Sequence, residues 1–204
     1  RLVGEKAKAE RDAGGDPFDH PACGSYGMEP CEGYAELFAF LSLVDPDPAR
    51  RADYAARARK LLMAVIALVE KKALPDNFST NDRSRWSGEA FGLTVDWIYP
   101  ALSADDKARI RKVFLAWSEE QLHAETTSLN HPEPIGVLND PALVADPVAV
   151  RFSGNNYYTA HLRNLGLMAL CLDPADDPGE KLAGYLKSST GAFLYVFDHL
   201  TRTD

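Results

Sequence analysis

The sequence predicts an all-α protein assembled from successive helical hairpins, arranged as a repeat array or as part of an (α/α) toroid, an incomplete barrel. Three observations carry this. Apolar residues recur at three- and four-residue steps in six segments. Clusters of Pro, Gly and Asp punctuate the intervals between them. No alternating run of convincing length suggests a strand. The 204 residues are 46% hydrophobic and 25% charged, the composition of a globular domain with a sizeable core.

Residues 1–30 mix charge with Gly14, Gly15, Pro17, Pro21, Gly24, Gly27 and Pro30, which reads as an irregular leader before a helical domain over 31–204. From Glu32, the spacing of Tyr34, Leu37, Phe38, Leu41 and Val44 places one helix, closed by Asp45-Pro46-Asp47-Pro48. A second runs from Ala49 to Lys72 with Tyr54, Ala58, Leu61, Val65 and Leu68 as its stripe, completing a first hairpin. After a polar connection, Ser84 is placed to cap a third helix over 85–102, where Trp86, Ala90, Leu93, Trp97 and Ala101 share a face. Gly88 and Gly92, four apart, predict close approach of a neighbouring helix despite a propensity cost of about 1 kcal/mol each.

Ser103 followed three residues later by Asp106 is the acidic variant of a capping box and opens a fourth helix, with Ile110, Val113, Phe114, Trp117 and Gln121 as its stripe. Residues 124–154 form a long irregular stretch carrying Pro132, Pro134, Pro141 and Pro147. Loops of this length tend to carry function. A fifth helix is expected over 155–172 and a sixth over 178–200, weakened in its middle by Ser188-Ser189-Thr190-Gly191. Three hairpins in succession suggest that each buries its stripe against the next.

The net charge of −8 and pI near 5.1 give an average surface that repels phosphate backbones, which argues against a nucleic-acid partner. The longest apolar run, Leu61 to Val69, is far below the ~20 residues that span a bilayer, so no membrane insertion is expected. Cys23, Cys31 and Cys171 form neither a CxxC pair nor a cluster at zinc spacing, so no metal and no cofactor are indicated. The odd count favours buried thiols, although Cys23 and Cys31 are close enough in sequence to pair across a Gly-rich loop in an exported protein. The chain opens at Arg1 and stops just after an apolar helical pattern, which suggests a piece of a longer protein with further domains.

Three motifs in order carry a resemblance. The first is Glu32-Gly33-Tyr34-Ala35-Glu36-Leu37 through Asp53-Tyr54-Ala55-Ala56-Arg57-Ala58. The second is Leu93-Thr94-Val95-Asp96-Trp97-Ile98-Tyr99-Pro100-Ala101-Leu102-Ser103 running into Asp106-Lys107-Ala108-Arg109-Ile110. The third is Ser153-Gly154-Asn155-Asn156-Tyr157-Tyr158 with His161, Gly166 and Leu167. Together they resemble the N-terminal (α/α) toroid of heparinase II/III-like and alginate-lyase-like polysaccharide lyases, over about residues 30–175. The family usually carries Asn-His or Asn-Trp where this chain has Asn155-Asn156-Tyr157, and its following β-sandwich is missing here. The resemblance implies a secreted or periplasmic protein that binds or cleaves an acidic polysaccharide or oligosaccharide by β-elimination.

That chemistry needs a neutraliser for the uronate carboxylate, a base for the α-proton and an acid for the leaving oxygen, roles open to amide, Tyr and His groups. Asn156, Tyr157 and His161 are the catalytic candidates, Asn156 as neutraliser and Tyr157 or His161 in proton transfer. Asn155 and Tyr158 are substrate-binding candidates beside them. The alternative is that Asn155 caps the helix, Asn156 and Tyr158 bind backbone, and His161 is a satisfied edge residue. Asn81, Arg85 and Trp86 are further binding candidates, because an Arg beside an exposed indole suits a sugar ring and its carboxylate. An Arg85–Glu89 ion pair at i, i+4 is the equally simple reading. His131 in the long loop is either a base or a solvated side chain. Asp96 reads as a buried structural carboxylate or a general acid. Glu125 and Asp140 leave open a toroid hydrolase working through paired carboxylates. A non-catalytic scaffold whose concave face binds a partner is the third reading, and Arg83, Arg85, Arg151 and Arg163 are the cations that would make a cleft locally positive.

Overall fold

The computed structural model describes residues 31–74, 78–80, 84–122 and 156–201. Six α-helices are described: α1 (Cys31–Val44), α2 (Pro48–Glu70), α3 (Ser84–Trp97), α4 (Ala104–Leu122), α5 (Asn156–Leu170) and α6 (Tyr185–Thr201). There is no strand among the described residues, and no helix there is long and apolar enough to cross a membrane.

α1 and α2 form the first hairpin. Asp47 caps α2 by accepting from the Ala49 amide at 2.9 Å, Pro48 takes the first helical position, and Phe38 stacks on Tyr54 at 5.9 Å. α2 ends where Lys72 adopts φ 52°, a left-handed residue that lets Ala73 N–H reach Leu68 C=O and Lys72 N–H reach Val69 C=O, both at 2.9 Å.

α3 stops at Trp97, five residues earlier than its periodicity suggests, because a 3-10 turn over Tyr99–Ala101 containing Pro100 takes over and Leu102 is extended. Ser103 then opens α4 through the expected reciprocal box: Ser103 N–H donates to Asp106 Oδ2 at 2.9 Å and Asp106 N–H to Ser103 Oγ at 3.1 Å. Arg59 of α2 grips the same buried carboxylate with two bonds, at 2.8 and 2.9 Å. Between α5 and α6, Asp177 is buried and takes the Leu182 and Ala183 amides and Arg111, so α6 begins at Tyr185 rather than at Pro178.

The helices alternate between two rows. α1 packs on α2 and α3, α3 packs on α5, α2 on α4, and α5 on α4 and α6. Register makes α1, α3 and α5 parallel. Gly88 sits against Asn164 and Gly92 against Leu167, while Phe40 meets Trp97 at 6.0 Å and Glu36 is within electrostatic reach of Glu89. In each pair both helices advance together.

The glycines set this spacing. A Cβ on Gly88 would lie 2.3 Å from Asn164 Nδ2, and one on Gly92 would lie 3.1 Å from Leu167 Cβ. The same mechanism recurs at Gly166, where a Cβ would meet Ser189 Oγ at 2.7 Å. Ser189 donates to Leu162 C=O at 2.7 Å, so the polar middle of the last helix is its docking point on α5.

The core joins Leu61, Leu62 and Ile66 of α2, Phe91 and Val95 of α3, and Ile110, Phe114 and Trp117 of α4. The α4 stripe is buried as its periodicity predicts. The face expected for α3 is corrected in part: Ala90 is buried as expected, but Trp86 is 55% exposed and Leu93 and Trp97 are half-buried, while Ser84, Ser87, Gly88, Phe91, Gly92 and Val95 are inside. α3 carries its largest apolar side chains away from α5, and the side of small residues, Gly88 and Gly92, is the one that admits α5. α1 likewise buries Tyr34, Ala35, Phe38 and Ala39 and leaves Leu37, Phe40, Leu43 and Val44 exposed.

Candidate functional site

Because α1, α3 and α5 run in one direction, their N-terminal ends gather at one end of the row. Three layers of polar contact build that end. The innermost lies between α3 and α5, where Ser84 Oγ and His161 Nε2 stand 2.8 Å apart and Asn164 Nδ2 donates to Ser84 C=O at 2.8 Å. Ser84 and Asn164 are fully buried and His161 is 2% exposed. Gly88 leaves room for the Asn164 amide, which ties the cradle to the sequence.

The second layer is ionic. Arg163 of α5 meets Glu89 of α3 at 2.9 Å and donates to Arg85 C=O. Glu36 of α1 lies near this pair; burial first, and then the Glu89 carboxylate, raise its pKa, with Arg163 acting in the opposite direction. The outermost layer is Trp86, with the Arg85 guanidinium 4.6 Å from its ring centroid. Asn156, the first residue of α5, is exposed at the same end.

Polar atoms also accumulate behind this face. Gln121 at the end of α4 donates from Nε2 to Ser79 C=O at 2.8 Å, while its Oε1, Asn164 Oδ1, Ser118 Oγ and Arg163 Nε are buried without a hydrogen-bond partner. Gln121 and Asn164 therefore hold the two ends of the 79–84 segment through its backbone.

Of the residues singled out from sequence, Arg85, Trp86 and Asn156 share the open end. His161 stands one layer behind them, against Ser84. Tyr158 is buried with Leu162, Leu165 and Ala192. Tyr157 lies in the first turn of α5. Asn81, His131 and Asn155 lie outside the described residues, as do Cys23, Arg83, Glu125, Asp140 and Arg151.

Two readings are corrected. Glu89 receives Arg163, and Arg85 is stacked on Trp86. Asp96 is exposed, not buried. Cys31 and Cys171 are buried, and burial, followed by the nearby Asp96 charge, pushes the Cys171 thiol well up. Among the described residues no group of His, Cys, Asp and Glu side chains is arranged to hold a metal ion.

Sequence reasoning passed over Glu36 and Asn164. Asn164 was legible in principle, as the polar side chain three residues after His161 that a Gly88-sized gap opposite it would accept. Glu36 carries no local signal, because its neighbours come from α3 and α5. Compared with known protein families, with curated proteins and with solved structures, the chain matches none.

Proposed function

We propose that this protein is a carbohydrate-active helical module, similar to polysaccharide lyases, that binds an acidic glycan at the open end of α1, α3 and α5 and cleaves it by β-elimination. In this reading the row of parallel helices belongs to an (α/α) toroid. The observation that carries it is the meeting, at one end of the row, of exposed Trp86 with Arg85 on its ring, Arg163 on Glu89, and exposed Asn156. An indole face suits the apolar side of a sugar ring, and the guanidinium groups with three positive helix ends suit its carboxylate.

Asn156 neutralises the uronate carboxylate, which acidifies the α-proton; Tyr157, as phenolate, takes that proton and, as phenol, gives it to the leaving glycosidic oxygen as the C–O bond breaks and the C=C bond forms. His161, held by Ser84, acts as a positioning residue for the α5 end. The test is the ultraviolet absorbance of unsaturated uronate, with the chain offered heparan, chondroitin, hyaluronan, alginate and pectate. The reading expects a rise on at least one substrate, lost in Asn156→Ala and Tyr157→Phe. Absence of a rise from folded, helical protein overturns it.

A second reading rests on Glu36. Its carboxyl is raised, first by burial and then by Glu89, the carboxylate that Arg163 holds at 2.9 Å, and two carboxyl groups in unlike surroundings suit the acid and base of a glycoside hydrolase. It expects new reducing ends without ultraviolet absorbance, and loss of turnover in Glu36→Gln.

A further inference from the structure

At the open end of α1, α3 and α5, Glu36 and Glu89 share the guanidinium of Arg163. Arg163 bonds Glu89 at 2.9 Å with the two side chains 38% and 35% exposed, so an acidic ligand can reach this pair from solvent. Arg163 also donates to Arg85 C=O, a backbone contact that holds the guanidinium in place whether or not Glu89 is bound to it, and its Nε is buried without a partner. Glu36 is half-buried beside them and makes no hydrogen bond or ion pair with any described residue. Burial and the Glu89 charge raise its pKa, and Arg163 acts in the opposite direction. α2, the other helix packed on α1, turns Tyr54 and Arg57 to Phe38, with Arg57 paired to Asp53, and on α1 itself the buried Glu32 lies one turn before Glu36.

A ligand carboxylate that takes the place of Glu89 on Arg163 neutralises that guanidinium and leaves Glu36 and Glu89 side by side. Two like charges in a half-buried setting repel, and a proton shared by the pair removes the repulsion. We propose that this end of the protein takes up an acidic sugar by carboxylate exchange: the ligand carboxylate replaces Glu89 on Arg163, and Glu36 and Glu89 together bind one proton from solvent. The charges balance, since the ligand brings one negative charge to Arg163 and the proton one positive. The inference rests on the glycan reading and adds to it the regulation of the same site by pH. Its sign follows from linkage. The carboxyl pair has a higher pKa in the complex than in the free protein, so affinity rises as pH falls through the higher value and levels off below the lower one.

The experiment is titration calorimetry of the chain with uronate oligosaccharides of heparan, chondroitin, hyaluronan, alginate and pectate, from about pH 8 to about pH 5 in buffers of different ionisation enthalpy. Uptake of about one proton and about tenfold tighter binding at the acid end are expected. Glu36→Gln, with far-UV circular dichroism as the check on folding, is expected to bind more tightly than the unsubstituted chain at about pH 8 and to lose both the proton uptake and the pH dependence. A second measurement needs no variant: the same oligosaccharide with its carboxyl groups reduced to alcohols brings no charge to Arg163 and should take up no proton. Binding of the uronate oligosaccharides without proton uptake, uptake that Glu36→Gln leaves unchanged, or equal uptake with the reduced oligosaccharide overturns the exchange and leaves the glycan reading standing. Absence of binding at every pH overturns both.

Discussion

Ser84 and His161 lie 77 residues apart in the chain, yet the Ser84 hydroxyl oxygen is 2.8 Å from His161 Nε2. This contact joins the first turn of α3 to the second turn of α5 in a site closed to water. It fixes the relative height of two parallel helices, and with it the position of Arg85 and Trp86 against Arg163. His161→Ala is expected to cost about 1–3 kcal/mol in urea unfolding, because Ser84 Oγ loses this buried partner. His161→Gln, which keeps a polar reach, should cost less. Equal losses in the two variants would show that packing, not the hydrogen bond, holds the helices.

The close approach of α3 and α5 predicts a graded response to added volume. Gly88→Ala places a methyl 2.3 Å from Asn164 Nδ2, whereas Gly92→Ala meets Leu167 Cβ at 3.1 Å. Overpacking of the first kind costs about 1–3 kcal/mol, and the second should cost less, offset further by the helix propensity of Ala. Thermal unfolding of the two variants side by side checks the order.

The hairpin pattern and the helix caps were legible in the sequence because their causes are local. Ser103-x-x-Asp106 satisfies orphan amides within a few residues, Asp45-Pro46-Asp47-Pro48 reads as the stop of α1 although Asp47 also caps α2, and the α4 stripe from Ile110 to Gln121 reads correctly because one side of that helix is polar. α3 was misread for the opposite reason. Trp86, Leu93 and Trp97 are more apolar than Ser84, Gly88 and Gly92, so periodicity alone chose the larger side chains, while packing chose the side that fits against α5. Arg85, Trp86 and Asn156 were legible as candidates by residue type. The Glu36, Glu89 and Arg163 grouping was not, since it exists only through the order in which α1, α3 and α5 lie side by side.

Acid should unfold the protein partly through Asp106. Burial on its own raises the pKa of this carboxyl, but hydrogen bonds from Arg59 and Ser103 outweigh it and hold the group below the ordinary carboxylate range. A folded-state value below the unfolded one of about 3.9 gives stability that is fully present at neutral pH and is lost as pH falls through the folded value. Asp177, lowered by the Ala183 amide, Arg111 and the Leu182 amide against the effect of burial, adds in the same direction. Unfolding midpoints measured from pH 7 to pH 2 should fall below about pH 4. Asp106→Asn should be less stable at pH 7 and show a shallower acid decline.

Lys72 occupies the left-handed position that ends α2, where a side chain is strained and glycine is not. Lys72→Gly is expected to raise stability by about 0.5–1 kcal/mol, read from the urea midpoint at unchanged slope. A loss of stability would mean that the Lys72 side chain makes a contact worth more than the strain.

The central claim is that the open end of α1, α3 and α5 is the surface that meets a glycan. The most direct measurement is a two-dimensional NMR titration of the labelled chain with uronate oligosaccharides. The account predicts shifts concentrated at Glu36, Arg85, Trp86, Glu89, Asn156 and Arg163, with the Trp86 indole N–H among the largest, and their loss in Trp86→Ala. Shifts confined to α2 and α4, or none with any oligosaccharide offered, would contradict it.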